Sequence, residues 1–347
     1  MNRTIEISSG TILRTVFILL LLWFIYLVRD IIALVFVAII ITSAIDPIVD
    51  WFQKRKVPRA FTVLVVYILF LSILGAAVGL LIPPLSTEIR GLGENFPVLA
   101  EKLSGYFRIV REYADSHNLQ QQVVNFTGSA AEKISQAGSS ILGGTVSFIG
   151  GIFSFVVVLS IAFYMSVQEK GIKKFIASFA PDEHSGYISG LVDRIQFKMG
   201  RWLQGQMFLM LIIFALDYLG LLLIGAPYAL VLALIAGILE IIPYIGPIVS
   251  AIIAVSISFL HDPVTGLLVL ALFVLVQQLE GYVLTPLVMK RAVGLNPVVV
   301  ILALMIGAKL GGVLGIIIAV PIATAFSEIV NDLTKEKEVD VKSGRSE

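Results

Sequence analysis

Glu240-Ile241-Ile242-Pro243-Tyr244-Ile245-Gly246-Pro247 stands between two apolar runs, 228–239 and 248–260, and its reading decides the fold. An acid, two prolines and a glycine sit where the flanking sequence belongs in a membrane. Each unsatisfied polar group in hydrocarbon costs several kcal/mol, so such a segment survives only buried in protein or along a watery cavity. An ionisable residue at that depth is a functional-site hypothesis by default. The prolines break a helix and Gly246 lets the backbone turn without a side-chain clash. Carbonyls freed at the break by Pro243 and Pro247 can bind a cation, while helix N-termini favour anionic groups. Glu240 exchanges a proton for a cation, hydrogen-bonds a polar solute, or caps the broken helix.

The composition agrees with a membrane setting. The chain is 58% hydrophobic and 14% charged, against roughly 25% charged in soluble domains. Its formal net charge of +1 argues neither for nucleic acid nor for an acidic partner, and no basic run is interleaved with aromatics. Absence of cysteine removes disulfides, thiolate catalysis and Cys-ligated metal together. Arg3 and Arg14 precede an apolar stretch without a small-residue cleavage site. That stretch reads as one arm of a retained hairpin.

Working outward, a span needs about 20 apolar residues. Segments 12–28 and 31–45 are short and meet at Arg29-Asp30, read as a tight turn. Segment 61–82 is a full span that stops at Pro83-Pro84; 141–167 and 207–224 are further spans, the latter containing Asp217. Beyond Pro227 come the two short arms around Glu240, the span 264–284, and the short arms 297–308 and 313–325 joined through Lys309-Leu310-Gly311-Gly312. Arms this short favour re-entrant hairpins over four tilted crossings. Paired Gly/Pro-interrupted segments are the sequence pointer to a transporter binding site. The fold class expected is an all-α polytopic membrane protein with about eight transmembrane segments. Two broken, re-entrant helical hairpins and a small extracytoplasmic helical insertion complete it.

Lysine and arginine in short loops set orientation. Lys54, Arg55, Lys56 and Arg59 form one group; Lys170, Lys173, Lys174, Arg194, Lys198 and Arg201 a second; Lys290-Arg291 a third; the tail a fourth. An N-terminus in the cytoplasm places all four there, as does the C-terminus, in a multi-pass protein of the inner (cytoplasmic) cell membrane. The expected division is N-terminal membrane helices 1–83, an extracytoplasmic helical insertion 84–140, a membrane helix 141–168, a cytoplasmic amphipathic segment 169–205, a transport core 206–332 and a charged tail 333–347. In the insertion Phe96, Leu99, Leu103, Phe107 and Val110 recur at helical spacing. In 172–202 the basic residues with Phe175, Phe179, Phe197 and Trp202 suit a helix lying in the interface.

The candidate substrate or ion path comprises Glu240, Pro243, Tyr244, Gly246 and Pro247 at the first break. Gln277, Gln278, Glu280 and Tyr282 lie near the end of a span, and Lys309, Gly311 and Gly312 at the second break. Gln277 and Glu280, at i and i+3, share a helix face. They form a polar wall toward Glu240, or Glu280 pairs with Lys290 or Arg291. Asp217 is a weaker candidate whose simplest partner is a lysine or arginine on a neighbouring helix. Arg201-Trp202-Leu203-Gln204-Gly205-Gln206 reads as an interfacial anchor. No catalytic residue, cofactor or resident metal is expected, although Na⁺ can pass transiently near Glu240. His117, His184 and His261 fall in loops, no His-Glu-x-x-His motif occurs, and no Gly-rich loop ends in Gly-Lys-Ser/Thr. An intramembrane enzyme and an ATP-driven pump are thereby disfavoured.

Glu240–Pro247, Gln278-Leu-Glu280-Gly with Pro286-Leu-Val-Met289, and Gly312-Val-Leu-Gly315 leading to Ala319-Val-Pro321 together resemble the autoinducer-2 exporter family of bacterial membrane proteins. The resemblance runs over essentially the whole chain. It implies a homo-oligomeric, pentameric transporter with inverted repeats and elevator-like movement of its hairpin-bearing part; Asp217 has no place in the pattern. The function expected is secondary membrane transport: export of a small polar solute, or exchange of Na⁺ or Li⁺ for H⁺. A titratable Glu240 suits exchange, and Gln277, Gln278, Tyr244 and Tyr282 suit a hydroxylated solute. Partners are membrane lipids, the transported species and further copies of the chain. The alternative is a non-transporting scaffold that organises a complex through its outer helical segment.

Overall fold

The computed structural model describes residues 9–116, 145–168, 185–289 and 294–342. Among the described residues every regular element is helical. The order is α1 (Ser9–Leu27), α2 (Arg29–Gln53), α3 (Arg59–Ser116), α4 (Thr145–Val167), α5 (Ser185–Ile224), α6 (Ala229–Leu239) and α7 (Ile245–His261). There follow α8 (Pro263–Leu279), a π-helical turn (Glu280–Leu284), α9 (Thr285–Met289) and α10 (Pro297–Lys342). Two starts follow one local rule, an Asx cap followed by proline at the first helical position. The Asp262 carboxylate accepts the Thr265 N–H at 2.9 Å, and Asn296 Oδ1 accepts the Val298 N–H at 2.9 Å.

Five helical stretches among the described residues are long and apolar enough to cross a membrane: Arg29–Gln53, Arg59–Asn95, Ser185–Ile224, Pro263–Met289 and Pro297–Asp332. Large apolar side chains such as Leu13, Leu80 and Leu223 are exposed along the helices, as contact with lipid requires. The chain is a multi-pass membrane protein.

The chain divides into two compact units. One contains α1, the start of α2, the end of α4, the start of α5, and α10. Here Thr42 Oγ1 donates to Ala38 O at 2.8 Å and to Ala162 O at 3.2 Å, while Arg194 pairs with Glu328 and Asp332 at 3.1 and 2.7 Å. The other contains α3, most of α5, and α6 to α9. Its core is Ile213 and Leu221 of α5, Leu232 and Ala236 of α6, Ala254 of α7 and Phe273 of α8.

Several sequence expectations are corrected. No hairpin forms at Arg29-Asp30, because one residue joins α1 to α2. Val28 N–H bonds to Phe24 O and Ile32 N–H to Val28 O, both at 3.0 Å, so the connection is a kink lacking the loop of 2–5 residues that a helical hairpin uses. The short segment 31–45 belongs to a 25-residue helix. The helix does not stop at Pro83-Pro84 but runs unbroken to Ser116. Tertiary bonds beyond the prolines, from Glu88, Gly91 and Lys102, hold the continued helix. Residues 185–202 are no separate interfacial helix: α5 is continuous for 40 residues, and Trp202 is buried while Phe197 is exposed. Phe175, Phe179, Lys290 and Arg291 lie outside the described residues, as do the side chains of Phe96, Leu99, Leu103, Phe107 and Val110.

Candidate functional site

The Glu240 segment is a tight reversal between α6 and α7. Ile242 N–H bonds to Leu239 O at 3.0 Å, Ile245 N–H to Pro243 O at 2.8 Å and Gly246 N–H to Ile242 O at 2.9 Å. The carbonyls expected to be free at the break are therefore occupied by short-range backbone bonds. Tyr244 sits at φ 65°, a left-handed value uncommon outside glycine. Gly246 is buried against the Leu239 carbonyl, where any Cβ would overlap backbone atoms. Only glycine permits this closeness.

What remains polar at the tip is the Glu240 side chain. It is 2% exposed, and its Oε2 has no hydrogen-bond partner. Its own carbonyl accepts the Nε2 of Gln206, a side chain 1% exposed on α5. Glu280, first residue of the π-helical turn, brings its carboxyl within hydrogen-bonding reach of that of Glu240. Gln277 Nε2 donates to Glu280 Oε2 at 3.2 Å. Asp217, 1% exposed with Oδ1 unpartnered, lies close enough to feel the charges of both glutamates. Two buried acids, from α5 and the α6–α7 break, thus lie near a half-buried third at the end of α8. They form no ready-made metal cage: among the described residues no group of three acidic, histidine or cysteine side chains is placed to hold an ion.

A π-helical turn at Glu280 is a physical reason for this meeting. Its extra residue per turn shifts the helix face where it occurs, a feature frequent at functional sites. Of the expected polar wall, Gln277 and Glu280 are bonded to each other, with Gln277 exposed and Glu280 half-buried. Gln278 and Tyr282 lie exposed, as does Tyr244, while Pro243 and Pro247 are half-buried. The expectation for Asp217 is corrected among the described residues, where its charged neighbours are acids rather than a lysine or arginine. Gln206 is equally no interfacial anchor. The sequence signalled the burial of both, though not the bond that Gln206 makes. Gln206, Ile213, Asp217 and Leu221 fall on one face of α5 at helical spacing, and all four are buried.

The second break is in the other unit. Gly312 (φ 56°, ψ −135°) interrupts α10, a backbone region essentially reserved for glycine. Gly307 and Gly315 would be about 12 Å apart in a straight helix, yet they touch, and a Cβ on Gly307 would also lie 3.0 Å from Ala319 Cβ. The chain therefore reverses. Lys309, Gly311 and Gly312 lie exposed at this tip. Along the hairpin and the start of α2 runs a groove of about 570 Å³ whose lining is apolar apart from Arg29 and Asp30.

The amino-acid sequence matches the model of the AI-2E family transporters over residues 13–335. The chain belongs to the AI-2E transporter family. Among curated relatives, the Bacillus subtilis protein named "Putative transport protein YrrI" is 27% identical over 326 residues, covering 90% of each chain. MT0215 of Mycobacterium tuberculosis, 28% identical, covers 90% of this chain and 86% of its own. YhhT of Escherichia coli K12, also 28% identical, covers 90% and 87%; both carry the same transport-protein description. A membrane transporter is the coarse function this membership gives.

Proposed function

We propose that the chain is a secondary transporter exchanging Na⁺ or Li⁺ for H⁺ through the carboxyl pair Glu240 and Glu280. The observation that carries this reading is the buried Glu240 carboxyl, half unpartnered, facing a second carboxyl and near Asp217. Two carboxyls in contact, one buried and one half-buried, hold a proton or a cation between them, because a bare pair of like charges is disfavoured away from bulk water. Binding one cargo then excludes the other, which is the requirement for exchange. Gln277 orients Glu280, and Gln206 fixes the Glu240 backbone. Export of a small polar solute draws less support, since Gln277, Gln278, Tyr244 and Tyr282 are all exposed.

The same reading takes both helical reversals as re-entrant hairpins in a protein of about eight membrane segments, with residues 206–332 as transport core. Residues 84–140 are outside, and 169–205, Lys290-Arg291 and the tail are cytoplasmic. With α1 and α2 joined by a kink, the N-terminus loses the hairpin that supported its cytoplasmic placement. Elevator-like movement in a homo-oligomer, a pentamer by family likeness, completes the proposal.

The test is purified protein in liposomes loaded with a pH-sensitive dye under an imposed Na⁺ or Li⁺ gradient. Proton flux in the wild type that vanishes in folded Glu240→Gln is expected. Wild-type flux in that variant refutes the role of Glu240, and silence in the folded wild type moves the assignment to a small organic solute or to a scaffold.

A further inference from the structure

The outer half of α3 touches both outer ends of the α6–α7 hairpin, and each contact matches the charge that a helix end presents. Helix α6 starts at Tyr228, held at φ 55° with no side-chain cap of its own. The cap comes from elsewhere. The Glu88 carboxylate accepts the N–H groups of Leu230 and Val231 at 3.3 and 2.9 Å, two of the donors a helix start leaves without partners. At the far end of the hairpin, Lys102 Nζ donates to Leu260 O at 3.0 Å, in the last turn of α7. Between them Tyr228 Oη donates to Gly91 O at 3.1 Å and Asn95 Nδ2 donates to Tyr228 Oη at 3.1 Å. A negative group thus meets the positive end of one helix and a positive group the negative end of the other.

The geometry points to a brace: α3 beyond Pro84 positions the Glu240 hairpin by holding its two outer ends, so that brace and hairpin move as one body. Glu88 and Lys102 are about 21 Å apart along a helix, and two anchors at that separation resist rotation of the hairpin as well as displacement. Tyr228 is held in an uncommon backbone conformation by bonds to the same helix, as strain persists only where surroundings over-determine it. Glu88 and Lys102 are positioning residues, and the brace rests on the reading of this hairpin as the transport element.

Hydrogen exchange on the full chain tests the brace without any flux measurement. Glu88→Ala speeds exchange at Leu230 and Val231 about fivefold to tenfold, the scale of one capping interaction. A brace requires each variant to loosen both ends: Glu88→Ala also speeds exchange at 258–262, and Lys102→Met speeds it at 230–231. Effects confined to the mutated end overturn the brace and leave two separate caps. Amides of α8 report folding, and Glu88→Gln, which keeps an acceptor, replaces the alanine variant should that unfold. Motion is tested separately in liposomes. The chain has no cysteine, so Lys102→Cys with His261→Cys can be bridged by a short bis-methanethiosulfonate. Flux equal to that of the unbridged double variant supports the single body; flux that stops on bridging and returns with reductant overturns it. Absent flux in the wild type would count against the transport reading alone, because exchange still decides the brace.

Discussion

Replacing Gln206 by methionine isolates the bond that closes the Glu240 break. Methionine keeps the length and most of the volume of glutamine but donates nothing. Gln206 is 1% exposed and its amide serves the Glu240 carbonyl. In the variant that carbonyl keeps no side-chain donor, and at this depth water does not replace it. Leaving a buried acceptor unsatisfied costs about 1–3 kcal/mol, which is about five- to 150-fold in a local opening equilibrium. Packing adds little because the swap nearly conserves volume. The assay is amide exchange across residues 239–246 in wild type and Gln206→Met, with α8 as reference. A rise in that range confined to the break is expected, together with reduced ion flux, since the tip that holds Glu240 loosens. Exchange at the wild-type rate through 239–246 would refute the argument that Gln206 holds the break.

Two other perturbations follow from the same geometry. Gly246→Ala places a Cβ into the Leu239 carbonyl and 3.1 Å from Glu240 N; because backbone cannot move aside as a flexible side chain can, destabilisation of about 3 kcal/mol or more is expected in thermal or denaturant unfolding. Asp262, outside the membrane spans, accepts bonds from Thr265 N–H and Oγ1, and these hold its carboxyl below the ordinary 3.8. A lowered value in the folded chain means the cap is fully stabilising above pH 3.8 and is lost as pH falls through the lower folded value. Exchange in the first turn of α8, corrected for intrinsic rates, therefore accelerates below about pH 3.8 in the wild type, whereas Asp262→Asn shows no such step.

Much of this was readable from residue order alone, for physical reasons. Composition sets the solvent, so a chain poor in charge and rich in long apolar runs belongs in lipid. Proline and glycine act on the backbone where they stand, so Glu240–Pro247 and Lys309–Gly312 announced helix interruptions, and both are reversals in the structure. Carboxylates in apolar runs, Glu240 and Asp217, were visible as anomalies. Other features depend on partners distant in sequence. Pro83-Pro84 looked like a stop because proline removes local helical bonds, yet α3 continues, held by Glu88, Gly91 and Lys102 against residues more than a hundred positions away. Gln206 carried no local sign of its role, since an amide becomes a structural donor only when another helix brings it a carbonyl. The π-helical turn that begins at Glu280 likewise has no local signature in the sequence. The sequence by itself thus determined the solvent and the places where helices break, because both arise from local chemistry. Only the tertiary structure decided that Asp217 and Glu280 lie near the buried Glu240, because neighbours across helices are chosen by packing, which no local pattern encodes.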